Sequence, residues 1–458
     1  MKETPTWTDW KENQLLDEKS AGLCMFIGVS QGVNQIDQVA ESLVFSILIS
    51  FVMVCLLRLH RGMNRQRQMQ GLILKCLKLI ELCTERFDEM SMKGRVALNV
   101  VVLEAMRFWK KQSEMRPDRC GPNGLQKDER RISEKVKISM AAKAVCVTGA
   151  GGFVASWLVK LLLSKGYTVH GTVRQPGSGK YEHLLKLDGA SENLTLFRAD
   201  LLNYDSILSA IAGCAAVFHV ASPVPSTVVP NPQVELIEPA VQGTTNVLQA
   251  CLEAKVQRVV FVSSVSAICI CPNIPKDKVI DESYWSDKDY CKKTQNWYCY
   301  SKTEAEERAL DFAKRTGLDV VSICPSLVLG PILQSTTVNA SSLVLSKLLK
   351  GGDSFENKTR WIVDVRDLVD AILLVNEKHE EERRYICNAH TIKARDLTEK
   401  LKSIYPSYKY PSNFTEVDDY LRLSSEKLER LGWKYRSLEE TLIDSVESYR
   451  EAGLLQSE

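Results

Sequence analysis

The sequence predicts an α/β fold: a doubly wound parallel sheet with helices on both faces. Three observations predict it. A short apolar run, Ala144-Val145-Cys146-Val147, enters a glycine turn, Thr148-Gly149-Ala150-Gly151-Gly152, and the turn opens an amphipathic helix. Strand-like and helix-like segments then alternate as far as Cys324. A serine pair, Ser263-Ser264, closes one of those strands, at the carboxyl edge where open α/β sheets bind ligands.

Residues 1–139 are unlike the rest and read as a separate, mostly helical extension. Met1 to Lys19 is polar, without the basic start and apolar core of a secretory signal. Leu43 to Leu57 is the one long apolar run, followed by Arg58, Arg61, Arg65 and Arg67. A spanning helix needs about 20 apolar residues, so even extended over 40–57 this run is marginal. A membrane anchor, a helix buried in a small bundle and a segment without stable fold are all left open. The arginines would place its C-terminal side, and the downstream domain, in the cytoplasm. Gly71 to Cys83 and Val96 to Trp109 have helical, amphipathic patterns, and Pro117 to Lys137 reads as a charged linker. Met140-Ala141-Ala142-Lys143 reads like a natural start, with the upstream part either an added segment or an extended reading frame.

From Lys143 each element has its own warrant. In the first helix Val154, Trp157, Leu158, Leu161 and Leu162 make one apolar face, and Gly166 stops it. Gly149 permits a tight turn, Gly152 lets backbone N–H groups approach a pyrophosphate, and Ala155 lets the helix pack closely. Thr148, Gly149, Gly152, Phe153 and Val154 therefore form the expected cofactor-binding turn, with the helix N-terminus facing the phosphates. Tyr167 to Val173 is the second strand. An NAD enzyme carries an acid at its end, whereas Arg174 stands here, which suits the 2′-phosphate of NADPH. Leu194 to Arg198 is the third strand, and Asp200-Leu201 is placed to frame the adenine. Ala216 to Ala221 is the fourth, with Ala221 small at its mouth and His219 read as a packing residue. Val234 to Lys255 is a long helix with a kink or late start at Pro239. Arg258 to Val262 is the fifth strand, Thr303 to Arg315 a strong helix, and Asp319 to Cys324 the sixth strand.

Composition excludes several classes. With 458 residues, 45% hydrophobic and 25% charged, the chain has room for two or three globular domains. A net charge of +2 favours neither nucleic acid nor an acidic partner. The 14 cysteines form no Cys-x-x-Cys pair, so reduced thiols of a cytoplasmic enzyme are expected, with no metal site.

The chemistry centres on Tyr298-Cys299-Tyr300-Ser301-Lys302. Tyr298 and Lys302 are four apart and share one helix face. A free phenol titrates near about 10, and a neighbouring ammonium lowers that value. Lys302 is expected to do this and to hold the nicotinamide ribose, while Tyr298 gives a proton to a carbonyl oxygen during hydride transfer. Ser264, with Ser263 as runner-up, steadies the developing charge.

These residues carry a resemblance. From about Lys143 to Leu455 the chain resembles the extended short-chain dehydrogenases/reductases with their Rossmann domain, and more narrowly the plant cinnamoyl-CoA reductase and dihydroflavonol 4-reductase group. The motifs are Val147 to Trp157, Phe218-His219-Val220-Ala221-Ser222-Pro223, and above all Asn296-Trp297-Tyr298-Cys299-Tyr300-Ser301-Lys302. The last is similar to the cinnamoyl-CoA reductase signature, with Ser301 in place of its glycine. The resemblance implies a catalytic set of Ser264, Tyr298 and Lys302. It implies that Arg174 and Lys180 favour NADP, and that Pro325 and Ser326 meet the nicotinamide side. Val344 stands where the aromatic-CoA reductases have a histidine, Lys347 is kept, and Cys269 stands where the dihydroflavonol enzymes have Asn or Asp.

The expected organisation is an NADP-binding domain over 140–325 and a smaller α/β substrate domain mainly over 326–458, including Trp361 to Asp367 and a helix from Ser437 to Tyr449. Trp297, Tyr300, Leu327 and Val344, with Lys347, are the candidate substrate residues, for a flat aromatic acyl group or simply as core. The expected activity is NADPH-dependent reduction of an aromatic acyl-CoA, or of an aldehyde or ketone. Any membrane contact would come through residues 40–57.

Overall fold

The structure is a computed structural model that describes residues 144–455, apart from 226–228, 273, 275–277, 335–338, 353, 418 and 420. The expectations for residues 1–139, including the apolar run at 40–57, lie outside the described residues. Among the described residues no helix is long and apolar enough to cross a membrane.

The chain opens with β1 (Ala144–Val147), α1 (Phe153–Ser164), β2 (Thr168–Val173) and β3 (Leu194–Arg198). It continues through α2 (Tyr204–Ile211), β4 (Ala216–His219), α3 (Glu238–Glu253) and β5 (Arg258–Val262). Then come α4 (Trp297–Thr316), β6 (Val320–Pro325), β7 (Leu327–Leu329), α5 (Ala340–Lys350) and β8 (Thr359–Asp364). After these lie α6 (Val365–Glu377), β9 (Arg384–Cys387), β10 (His390–Lys393), a helix Ala394–Ile404, and finally α7 (Leu438–Glu451).

The main sheet has seven strands in the order β9-β6-β5-β4-β1-β2-β3. Every pairing in it is parallel. The strand order reverses between β4 and β1, and the crevice beyond their carboxyl ends is the natural ligand site. Alternate residues serve two cores, because successive side chains leave a strand on opposite faces. Val145, Val147, Phe218, Val260 and Val262 pack with α1 and α6. Cys146, Val217, Val259 and Phe261 pack with α2, α3 and α4.

The first helix buries Ala155, Leu158, Val159, Leu162 and Leu163, while Val154, Trp157 and Leu161 are half-buried at the rim of the same core. The buried stripe is thus turned from the apolar face read in the sequence, with small Ala155 and Ser156 in it. Pro239 sits in the first turn of α3 after a π turn over Gln233–Ile237, so it marks a start and not a kink.

A second sheet has the order β10-β8-β7. It shares a core with α5 and α7 through Leu329, Leu345, Leu348, Leu349, Ile362, Leu442 and Val446. The chain also returns to the first layer after residue 325: α6 covers its core and β9 adds its edge strand.

Candidate active site

The glycine turn is fixed from below. Thr148 is fully buried, and its Oγ1 accepts from the backbone N–H of Val220 and of Ala221, both at 3.0 Å. The same hydroxyl lies 2.9 Å from His219 Nδ1. On the other side His219 Nε2 is 3.2 Å from Thr244 Oγ1, whose own proton goes to the Ala240 carbonyl at 2.7 Å. That pattern puts the His219 proton on Nε2 and makes Nδ1 the acceptor from Thr148. Burial, and then the charge of Lys302, push the imidazole down to about 3, so it stays neutral. His219 is a strut between β4, β1 and α3, as the sequence suggests.

Gly149 has a φ of +66°, and a Cβ there would meet the Ala221 Cβ at 2.9 Å. The two predicted cofactor positions therefore touch across the β1–β4 crevice. Gly152 is exposed at the N-cap of α1, and Phe153 and Val154 form the first turn behind it. Arg174 follows β2 directly and is exposed, as is Lys180 six residues on. Two neighbours of Lys180, missed in the sequence, anchor this segment. A Cβ at Gly151 would lie 2.4 Å from Tyr181 ring carbons, so the ring occupies the space left by that glycine. His183 Nε2 is 3.0 Å from Ser156 Oγ in α1. Gln334, also missed, donates to the Gly151 carbonyl at 3.2 Å and to Ser156 Oγ at 3.1 Å.

Asp200 follows β3, and its Oδ1 accepts from the Leu202 backbone N–H at 2.9 Å. Leu201 packs on Gly243, where a Cβ would come within 2.8 Å of its own. Pro325 ends β6, and Ser326 follows it. Ser326 Oγ is buried without a hydrogen-bond partner. An orphaned hydroxyl at this carboxyl edge, an exposed glycine at a helix N-terminus and two free-facing cations beyond β2 fit a phosphorylated dinucleotide.

Ser264, Tyr298 and Lys302 converge at the end of β5. Asn296 caps α4, its side chain accepting from the Cys299 backbone N–H, which sets the helix start one residue before Tyr298. Tyr298 and Ser264 share a hydrogen bond. Ser264 Oγ also accepts from the Ser266 backbone N–H at 3.1 Å. Ser263 points elsewhere: its hydroxyl donates to Glu306 at 2.8 Å. Lys302 is buried and donates to the Val262 carbonyl at 3.1 Å. Burial brings its ammonium down to about 8, with the Glu306 carboxylate and Cys324 pulling the other way.

One expectation is corrected. Burial pushes the Tyr298 phenol up to about 12, against the pull of its bond with Ser264. Lys302 is not among the groups that move it. The ammonium is engaged with Val262, and desolvation of the phenol outweighs any charge. Tyr298 is thus a neutral phenol at neutral pH. Ser301, where the signature has glycine, buries its hydroxyl harmlessly by donating to the Tyr298 carbonyl at 2.8 Å.

The substrate candidates fall on three elements. Trp297 and Tyr300, both half-buried in the first turn of α4, meet edge to face at 6.4 Å. Leu327 lies in β7 against the second core, Val344 is half-buried on α5, and Lys347 is exposed in its last turn. Cys269 is buried, its thiol raised to about 12 by desolvation first and by Cys299 next.

A family model described as the NAD dependent epimerase/dehydratase family matches residues 145–388. Cinnamoyl-CoA reductase 1 of Petunia hybrida is 46% identical over 322 residues, which are 69% of this chain and 95% of that protein. Among solved structures, vestitone reductase from alfalfa is 31% identical with a TM-score of 0.58, covering 68% of this chain and 99% of that one. Gre2 from Candida albicans, in complex with NADPH, is 31% identical with a TM-score of 0.60 over the same shares.

Proposed function

This chain belongs to the NAD dependent epimerase/dehydratase family and is an oxidoreductase of the extended short-chain dehydrogenase/reductase type; from that premise we propose that it is an NADPH-dependent, cinnamoyl-CoA reductase-like enzyme acting on an aromatic carbonyl compound. The observation that carries the reading is the hydrogen-bonded Ser264–Tyr298 pair beside buried Lys302, at the sheet edge that also bears the glycine turn.

NADPH, when bound, supplies the hydride. Thr148, Gly149, Gly152, Phe153 and Val154 take its pyrophosphate side, Arg174 and Lys180 the 2′-phosphate, and Asp200 and Leu201 the adenine. Ala221, Pro325 and Ser326 border the nicotinamide side. The buried ammonium of Lys302 orients the ribose. Tyr298, protonated throughout the working range, donates its phenolic proton to the substrate oxygen. Ser264 donates a hydrogen bond to the same oxygen and lowers the cost of charge building there. With a CoA thioester the reduced carbon collapses to an aldehyde and releases the thiol; with an aldehyde or ketone the product is an alcohol. In this reading residues 140–325 hold the cofactor, and residues 326–458 mainly meet the substrate.

A second reading, reduction of an aldehyde or flavonoid-like ketone without CoA, is favoured by one observation. Val344 offers no polar group on α5, and Lys347 is exposed rather than aimed inward. NADPH oxidation against feruloyl-CoA, dihydroquercetin and simple aromatic aldehydes decides. Turnover with the thioester supports the first reading; turnover confined to aldehydes or ketones replaces it with the second; turnover with none refutes both.

A further inference from the structure

Behind the catalytic side chains lies an ion pair that the chemistry above does not use. Glu306 is one turn beyond Lys302 on the buried face of α4 and is fully enclosed. Its carboxylate accepts from five donors. Ser263 Oγ of β5 reaches it at 2.8 Å, Ser322 Oγ of β6 at 2.6 Å, and Cys324 Sγ of β6 at 3.2 Å. Arg384 of β9 gives Nε at 2.9 Å and Nη2 at 3.0 Å. A carboxylate so wrapped keeps its charge despite burial, and its pKa lies below the ordinary value; the guanidinium is the main group holding it there.

Arg384 does more than neutralise it. The guanidinium also donates to the carbonyls of Glu282 and Tyr284 and stacks on the Trp285 ring at 3.6 Å. These residues belong to the segment that follows Ser264. The end of β5 is therefore tied at successive residues to one helix: Val262 by Lys302 and Ser263 by Glu306. Ser264 comes next. The other titratable group that bears on Glu306 and Lys302 is Cys324 of β6, and Lys302 in turn faces neutral His219 of β4, whose pKa its charge lowers.

We propose that Glu306, clamped by Arg384, is the positioning residue of the active site: it supplies the counter-charge that keeps Lys302 an ammonium and fixes the strand end that presents Ser264. The inference rests on the role given to Lys302 above. Without Glu306 the larger of the two groups that offset the desolvation of Lys302 is gone, so the proton leaves at lower pH. A merely structural carboxylate would not move that titration.

The test is the pH profile of kcat/KM for the full chain carrying Glu306→Gln, with Lys302→Met as the control. The alkaline limb should move acidward by about one pH unit, a tenfold lower rate on that limb, while NADPH affinity at pH 6 stays near that of the parent. A uniform fall at all pH values with an unmoved limb, or an unchanged profile, overturns the proposal. If Lys302→Met retains turnover, the role of Lys302 fails and the inference fails with it. If Lys302→Met is inactive and the Glu306→Gln limb is unmoved, the inference alone fails. Should Glu306→Gln not fold for want of a partner to Arg384, the double variant Glu306→Gln/Arg384→Gln removes both buried charges and is read in the same way. The Arg384 guanidinium opposes the Glu306 carboxylate at Lys302, so the double variant should shift the limb in the same acidward direction by a smaller amount.

Discussion

Ser263 and Ser264 are adjacent in sequence and opposite in consequence, so replacing each by alanine separates packing from chemistry. Ser263→Ala removes one of the five donors to Glu306. A hydrogen bond to a charged group contributes about 1.5–3 kcal/mol, and with four donors left the lower end applies. For a body of this size that is a fall in Tm of about 2–3 °C. Turnover at neutral pH should change by less than about tenfold, since the hydroxyl faces away from Tyr298. Ser264→Ala loses the acceptor for the Ser266 N–H, a cap worth about 1 kcal/mol, and so lowers Tm less. On the proposed mechanism it also loses a donor to the reacting oxygen, and removing one such donor costs about 10²–10³ in kcat. The assays are a thermal melt and NADPH-dependent carbonyl reduction on both variants. Equal loss of turnover in the two, or a Ser263→Ala variant that is inactive with its Tm unchanged, would refute the division of roles.

Two other outcomes are expected. Arg174→Asp should reverse the preference between NADPH and NADH measured as kcat/KM; an unchanged ratio would place the 2′-phosphate elsewhere. Turnover should fall as pH rises through about 8, where Lys302 loses its proton, and no inflection near pH 6.5 should come from His219, whose pKa is about 3. A profile flat from pH 7 to 9.5 would contradict the demand for a charged Lys302.

Much of this was legible because the signals are local. The run Val147 to Val154 fixes strand, turn and helix within a few residues, and Tyr298 and Lys302 share a face by helix geometry alone. The motif resemblance favours Ser264 over Ser263; what the sequence could not show is where the Ser263 hydroxyl goes, which is to Glu306. Glu306 repeats the same spacing beyond Lys302, but its burial shows only in the fold. Its partner Arg384 was not legible, because β9 joins the sheet from far along the chain. Tyr181 and Gln334 were equally silent: what they do depends on the missing Cβ and the free carbonyl of Gly151, which only packing reveals. The sign of the Tyr298 shift failed for a related reason. Spacing shows that a cation is near in sequence, whereas desolvation, which dominates here, depends on everything that covers the phenol.

The most direct measurement is the Tyr298→Phe variant, assayed in parallel for NADPH binding by fluorescence and for carbonyl reduction. The phenol proton alone is removed, so binding should stay within about threefold of the parent while turnover falls by about 10²–10⁴. A Tyr298→Phe enzyme that binds NADPH and turns over at the parent rate would show that the proton comes from another group, and the assignment of this site as a Tyr-dependent reductase would be wrong.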